Sequence, residues 1–182
     1  VEQRVAIKVQ RPRIRDTVER DIDLLYWLAR AIERAIPEAR RYSPVDLVAE
    51  FDRSMQAELD FMQEAEHAER FAKNFEGDAR VRFPKVYREV SGKRVLTLEF
   101  LEGRRLDDAI KAGLDGRTIA TNSVGVVIKM IFEDGFFHAD PHPGNILVLG
   151  ADENPVIGLL DLGLVGHLSG PMRDRALDLM VA

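Results

Sequence analysis

Eight residues, His138-Ala139-Asp140-Pro141-His142-Pro143-Gly144-Asn145, set a histidine, an aspartate and an asparagine between two apolar runs, and Asp161 follows sixteen positions after Asn145. Carboxylate and amide oxygens at this spacing suit a hard divalent cation. Magnesium takes oxygen ligands in near-octahedral geometry and keeps several waters, so a protein need supply only one or two side chains beside the phosphates of a nucleotide. Asn145 and Asp161 are the candidate metal ligands. Asp140 sits on a loop stiffened by Pro141 and Pro143 and can stand in line to orient or deprotonate an attacking hydroxyl. Gly144 adds the freedom to take positive φ. The chemistry read from these residues is phosphoryl transfer, with ATP and Mg²⁺ as cofactors. A plain surface turn, using Asp and Asn as ordinary turn formers, would explain His-x-Asp alone but not the register of Asn145 and Asp161 with it.

These residues need short strands to hold them. Ile146–Leu149 and Val156–Leu160 read as apolar strands around an Asp152-Glu153-Asn154-Pro155 turn, which places Asp161 just past a strand end. Upstream, Val5–Gln10 alternates and is rich in β-branched residues, a strand ended by Arg11-Pro12. Lys8 inside that strand is costly to bury unless an anion meets it. The apolar positions Val18, Ile22, Leu25, Leu28, Ala29, Ile32 and Ile36 predict a helix from Asp16, as N-cap, to Pro37, as stop, with Arg20, Asp23, Arg30, Glu33 and Arg34 on a solvated face. Ser43-Pro44 predicts the start of a second helix, with a capping hydroxyl, running to about Phe75 over a face of Val48, Phe51, Met55, Leu59 and Met62. Within it Glu58 and Asp60 lie about 200° apart, so these carboxylates and Glu64 share one site only if the helix bends. Phe83–Val90, Ser91-Gly92 and Arg94–Phe100 read as a β-hairpin. Short and long helices are expected over Leu106–Ala112 and Arg117–Gly135, the second with Ile119, Val126, Val127, Met130 and Ile131 toward the core. A last helix starts near Arg173.

The composition is that of a soluble globular chain: 182 residues, 46% hydrophobic, 31% charged, net charge -5 and no cysteine. One domain or slightly more is expected. The acidic balance gives no field to draw in nucleic acid, and the absence of cysteine excludes disulfides and thiolate metal sites. No run reaches the roughly 18 apolar residues of a membrane span. The chain begins without Met, in what reads as a strand, which points to a fragment of a longer protein.

Val5–Pro12, Glu58-Leu59-Asp60-Phe61 with Glu64, His138–Asn145 and Leu160-Asp161-Leu162-Gly163 together resemble the UbiB/aarF-domain atypical kinases, over almost the whole chain. The resemblance implies an α+β, protein-kinase-like two-lobed fold, here a fragment lacking the start of the small lobe and the end of the large one, with residues 1–102 in the first and 103–182 in the second. It implies Lys8 on the α- and β-phosphates of ATP, Glu64 as its helix partner with Glu58 as second choice, and Asp140 as the catalytic-loop aspartate. Glu58 and Asp60 correspond to the family's Glu-x-Asp pair beside the nucleotide pocket. Glu99 joins the nucleotide-binding residues, at the strand end before a hinge at Leu101-Glu102-Gly103 whose backbone would meet adenine. Asp161-Leu162-Gly163 departs from most kinases, which have Phe at the middle position. The family is tied to ubiquinone biosynthesis and described as ATPase-like, so the implied partners are prenylated quinone precursors, membrane lipids and quinone-biosynthesis proteins. The implied place is the cytoplasm or the periphery of the inner membrane. Two alternatives stay open: a small-molecule kinase of the aminoglycoside or choline type, and a non-catalytic, nucleotide-gated lipid binder.

Overall fold

The structure, a computed structural model, describes residues 3–150 and 154–181. Asp152 and Glu153 of the expected turn lie outside the described residues. β1 (Val5–Val9) leads into α1 (Ile14–Ala35), a 3-10 turn (Pro37–Tyr42), α2 (Pro44–Glu58) and α3 (Phe61–Asn74). Next come β2 (Val81–Arg82), β3 (Val95–Glu99), β4 (Arg104–Arg105), α4 (Leu106–Lys111) and α5 (Gly116–Ile128), which continues as a π-helical turn (Lys129–Asp134). β5 (Phe136–His138), β6 (Ile146–Leu149), β7 (Val156–Leu159), β8 (Val165–His167) and α6 (Gly170–Val181) complete the order.

β1 pairs antiparallel with β3, Lys8 opposite Leu96. A second sheet has the order β2-β7-β6-β4, parallel at β2-β7 and antiparallel elsewhere, and β5 pairs with β8. The core between them holds Phe71, Leu96, Val126, Met130, Phe136, Ile157 and Leu162, all almost without solvent contact. Phe71 stacks on Phe83 at 5.3 Å and meets Phe136 at 4.4 Å. No helix among the described residues is long and apolar enough to cross a membrane.

Several expectations are corrected. α1 starts at Ile14, and Arg13, not Asp16, stands at its N-cap, in left-handed backbone with φ 62°. Of its predicted stripe only Ile22 and Ala29 are buried; Leu28 and Ile36 face outward, beside Leu24 and Trp27. Ser43 precedes α2, but its hydroxyl makes no cap bond because the residue is left-handed, φ 42°. The single long helix expected from Pro44 to Phe75 is two, broken at Leu59-Asp60. The break is made from outside: Gln10 Nε2 donates to Leu59 O at 2.7 Å, and the Phe61 amide donates to Lys93 O at 3.2 Å. Asp60 then restarts the helix by accepting from the Met62 amide at 3.1 Å. Phe51, on the predicted inner face, is 47% exposed.

The hairpin is also partial. Lys85–Tyr87 runs beside β3, through Glu99 N to Lys85 O at 2.8 Å and Tyr87 N to Thr97 O at 3.0 Å, and Gly92 closes on Val95 at its far end. Beyond it Arg88–Val90 forms a 3-10 turn, because hydroxyls replace the ladder: Thr97 N donates to Ser91 Oγ at 2.9 Å, and Thr97 Oγ1 to Val90 O at 3.0 Å. Val127 of α5 is 40% exposed rather than in the core.

Candidate functional site

Lys8 lies on the inner face of β1, whose Val5, Ile7 and Val9 point outward. The burial it accepts is met by anions from two directions. Its Nζ donates to both oxygens of Glu64 at 2.8 Å and stands 3.2 Å from Asp161 Oδ1. Burial works to lower the Lys8 pKa, but Glu64 and Asp161 outweigh it and hold the ammonium above its ordinary range. Glu64 is 5% exposed; burial pushes its carboxyl upward, and Lys8 and the Leu162 amide pull it back only in part. Ala65 and Ala68 keep α3 close to the core, so Glu64 reaches β1 from a moored helix.

The second half of the site hangs from the β6–β7 ladder. Ile146 pairs with Leu159, and Leu160 N donates to Asn145 O at 2.8 Å, so Asn145 and Asp161 leave the same end of one hairpin. Asn145 closes a 3-10 turn, Pro143–Asn145, and its Nδ2 donates to Asp140 O at 3.2 Å, which leaves the amide oxygen for a ligand. Gly144 is not among the glycines with positive φ. It serves by lacking a β-carbon, which would fall 2.5 Å from His142 Cε1; the Gly144 amide donates to His142 Nδ1 at 2.9 Å.

His138 joins the two halves. Its Nδ1 accepts from the Asp140 amide at 3.1 Å and its Nε2 donates to Leu160 O at 3.3 Å, a pattern that requires the neutral ring. Burial lowers its pKa and keeps it neutral. Ala139 N donates to Leu164 O at 3.0 Å, so the loop carrying Asp140 is tied on both sides to the segment carrying Asp161. Asp161 itself is left-handed, φ 49°, and turns its half-exposed carboxylate outward while Leu162, 1% exposed, anchors the turn in the core. Leucine at that position packs and makes no ligand. His67 donates from Nδ1 to Leu162 O at 3.0 Å.

The remaining candidates divide. A β-carbon on Gly163 would lie 3.5 Å from Asp161 Oδ1 and 3.6 Å from Glu58 Oε1, so Glu58 borders the same turn but does not pair with Lys8. Asp60 points away, as the cap of α3 and 3.6 Å from Lys93 Nζ. The Glu99 carboxylate is engaged by Arg82 and by the Lys85 amide at 3.2 Å, and its own amide donates to Lys85 O, which leaves only its backbone carbonyl for a nucleotide. Gly103, beyond it, lies so close to β6 that a β-carbon would meet Leu149 Cδ2 at 2.4 Å. Sequence reasoning missed His67; its place three residues after Glu64, on the same helix face, was the available signal. It also gave His138 no role. Among the described residues no cluster of three or more His, Asp or Glu converges on one point. One carboxylate and one amide oxygen at a hairpin end, beside a lysine, fit a magnesium ion held mainly by phosphates and water.

Residues 2–182 match the model of the ABC1 atypical kinase-like domain. The chain belongs to that family. Similar to this ABC1 domain are the probable protein kinases UbiB of Aliivibrio fischeri, 38% identical over 91% of the chain, and of Vibrio parahaemolyticus, 38% identical over 92%. The chain spans 31% of the length of each. Among solved structures, the complex of Rv3197 with erythromycin from Mycobacterium tuberculosis superposes with a TM-score of 0.70 at 25% identity, covering 97% of this chain and 46% of that one. The fold of the ABC1 domain is therefore kinase-like, of mixed helix and sheet.

Proposed function

We propose that this ABC1 domain binds Mg²⁺-ATP and catalyses its hydrolysis or the transfer of its γ-phosphoryl group, within a longer protein that serves ubiquinone biosynthesis. The observation that carries the reading is the meeting of Lys8 with Glu64 at 2.8 Å and Asp161 at 3.2 Å, at the hairpin end that also presents Asn145. Lys8, fixed by Glu64, would hold the α- and β-phosphates. Asn145 and Asp161 would hold the metal, which supplies charge neutralisation on the phosphate oxygens when bound. Asp140 would orient water or an acceptor hydroxyl, with His138 setting its position through the backbone. Residues 1–102 and 103–182 would contribute the two walls of the cleft, with the Glu99–Gly103 backbone toward adenine and Glu58 bordering the metal side. The names of the UbiB relatives support the pathway, and a prenylated phenol is the acceptor or activator class to try.

The test is ATP turnover by the full-length protein, with and without a prenylated phenol in liposomes. Asp140→Asn should keep nucleotide binding and lower turnover about 10²–10⁴-fold, while Asp161→Asn should lose Mg²⁺-dependent ATP binding. Wild-type turnover and binding in Asp161→Asn would refute the assignment. Binding without turnover under any condition would leave a nucleotide-gated scaffold.

A further inference from the structure

Away from this cleft, where β1 runs into α1, a cavity of about 380 Å³ is walled by Arg11, Arg13, Arg15 and Arg94 with Asp16 as its one carboxylate. Elsewhere Arg4 pairs with Glu102, Arg53 with Glu50, Arg80 with Asp78, Arg82 with Glu99 and Arg88 with Glu69, while other exposed arginines such as Arg34, Arg41 and Arg117 lie outside any such concavity. The guanidinium groups of Arg11, Arg13 and Arg94 have no hydrogen bond or ion pair among the described residues. A chain with net charge -5 and 31 acidic residues thus gathers cations around one concavity and leaves them almost unneutralised. Like charges held together repel, and the group that relieves this is a multivalent anion. A guanidinium presents a planar fork of donors that matches phosphate oxygens two at a time.

We propose that this cavity binds the phosphate or diphosphate group of a soluble phosphorylated small molecule, at a site separate from Lys8, Asn145 and Asp161. The walls also connect to the cleft. Gln10, which lines the cavity, donates to Leu59 O at 2.7 Å, and Arg15 Nη2 donates to the same oxygen at 3.3 Å. Leu59 is the joint between Glu58 on α2 and the α3 helix that carries Glu64. An anion that draws Arg15 toward itself takes a donor from that joint and changes the hold on α3. The binding site stands independently of the Mg²⁺-ATP reading, since none of the readouts below is activity.

The experiment is calorimetric titration of pyrophosphate, without metal, into the full-length protein carrying Lys8→Ala, which disables phosphate binding in the cleft. Saturable binding is expected, weakened about tenfold or more by Arg13→Asn with Arg94→Gln, as loss of charge-assisted hydrogen bonds predicts. Asn suits the left-handed backbone at position 13. The conservative pair Arg13→Lys with Arg94→Lys should keep part of the affinity, which separates loss of charge from loss of fold. No binding, or equal binding by the Asn/Gln pair, overturns the site. A parallel arm uses phosphatidylcholine vesicles with and without phosphatidylglycerol: arginine-dependent capture by the anionic vesicles without pyrophosphate binding would overturn the soluble ligand in favour of a lipid headgroup. Hydrogen exchange of the 59–64 amides should change on adding pyrophosphate, and unchanged exchange at saturation overturns the coupling.

Discussion

α2 and α3 are consecutive helices of similar length, parted only by Leu59 and Asp60, yet the fold treats them differently. α2 buries none of its residues fully, whereas α3 buries Glu64, Ala65, Ala68 and Phe71. Both carry apolar positions at helical spacing, more sharply segregated to one face on α3, and what stands opposite separates them further. α3 faces β1, Phe83 and Phe136 and ends up inside the core cluster. α2 faces chiefly α1, through contacts such as Tyr26 Oη to Asp52 Oδ2 at 3.4 Å, and leaves Leu47 and Phe51 to solvent. The acidic residue that must be held in place against a lysine sits on the moored helix, and the carboxylate that borders the turn at Gly163 sits at the last residue of the loose one.

That contrast has measurable consequences in stability. Phe71→Ala removes a ring with no solvent exposure from between two others, and should cost about 3–5 kcal/mol by denaturant unfolding. Phe51→Ala on α2 should stay within about 0.5 kcal/mol. Equal losses would mean that α2 is as deeply seated as α3, and the contrast would break. A smaller effect tests the charges. Glu64→Gln leaves half-buried Lys8 with a neutral partner and Asp161 alone to balance it, an expected loss of about 1–3 kcal/mol. Glu58→Gln, which breaks no ion pair among the described residues, should be near neutral in the same assay.

That Asn145 and Asp161 come together was legible because their link is local: His138 to Asn145 is one loop, and Asp161 is reached from it through two short apolar strands. The strand of Lys8, the ends of β6 and β7, and the π-extended helix through Met130 were readable from periodicity for the same reason. The joint at Leu59 was not, because its cause lies far off in sequence, in Gln10, Arg15 and Lys93. β2 was missed as a two-residue strand that exists only through β7. Glu99 reads as a free carboxylate until Arg82 and Lys85 fold onto it. The outward turn of Leu24, Trp27 and Leu28 follows from α1 having one packed side, which a helical stripe cannot reveal when apolar residues lie on both.

The smallest predicted difference is at the two helix starts, and it isolates how α3 is fixed. Ser43 and Asp60 are both good N-cap residues by type. Only Asp60 does the work: with extended backbone, φ -120°, its carboxylate reaches the Met62 amide at 3.1 Å, whereas left-handed Ser43 turns its hydroxyl away from the first amides of α2. Asp60→Ala should therefore cost about 1 kcal/mol, and Ser43→Ala close to nothing. Because Glu64 lies in the first turn that Asp60 caps, the Asp60 variant should also speed hydrogen exchange at the Met62 and Gln63 amides. If the two alanine variants lose the same stability, the start of α3 is held by Gln10 and Lys93 rather than by its cap, and the joint is anchored from β1 and the turn before β3.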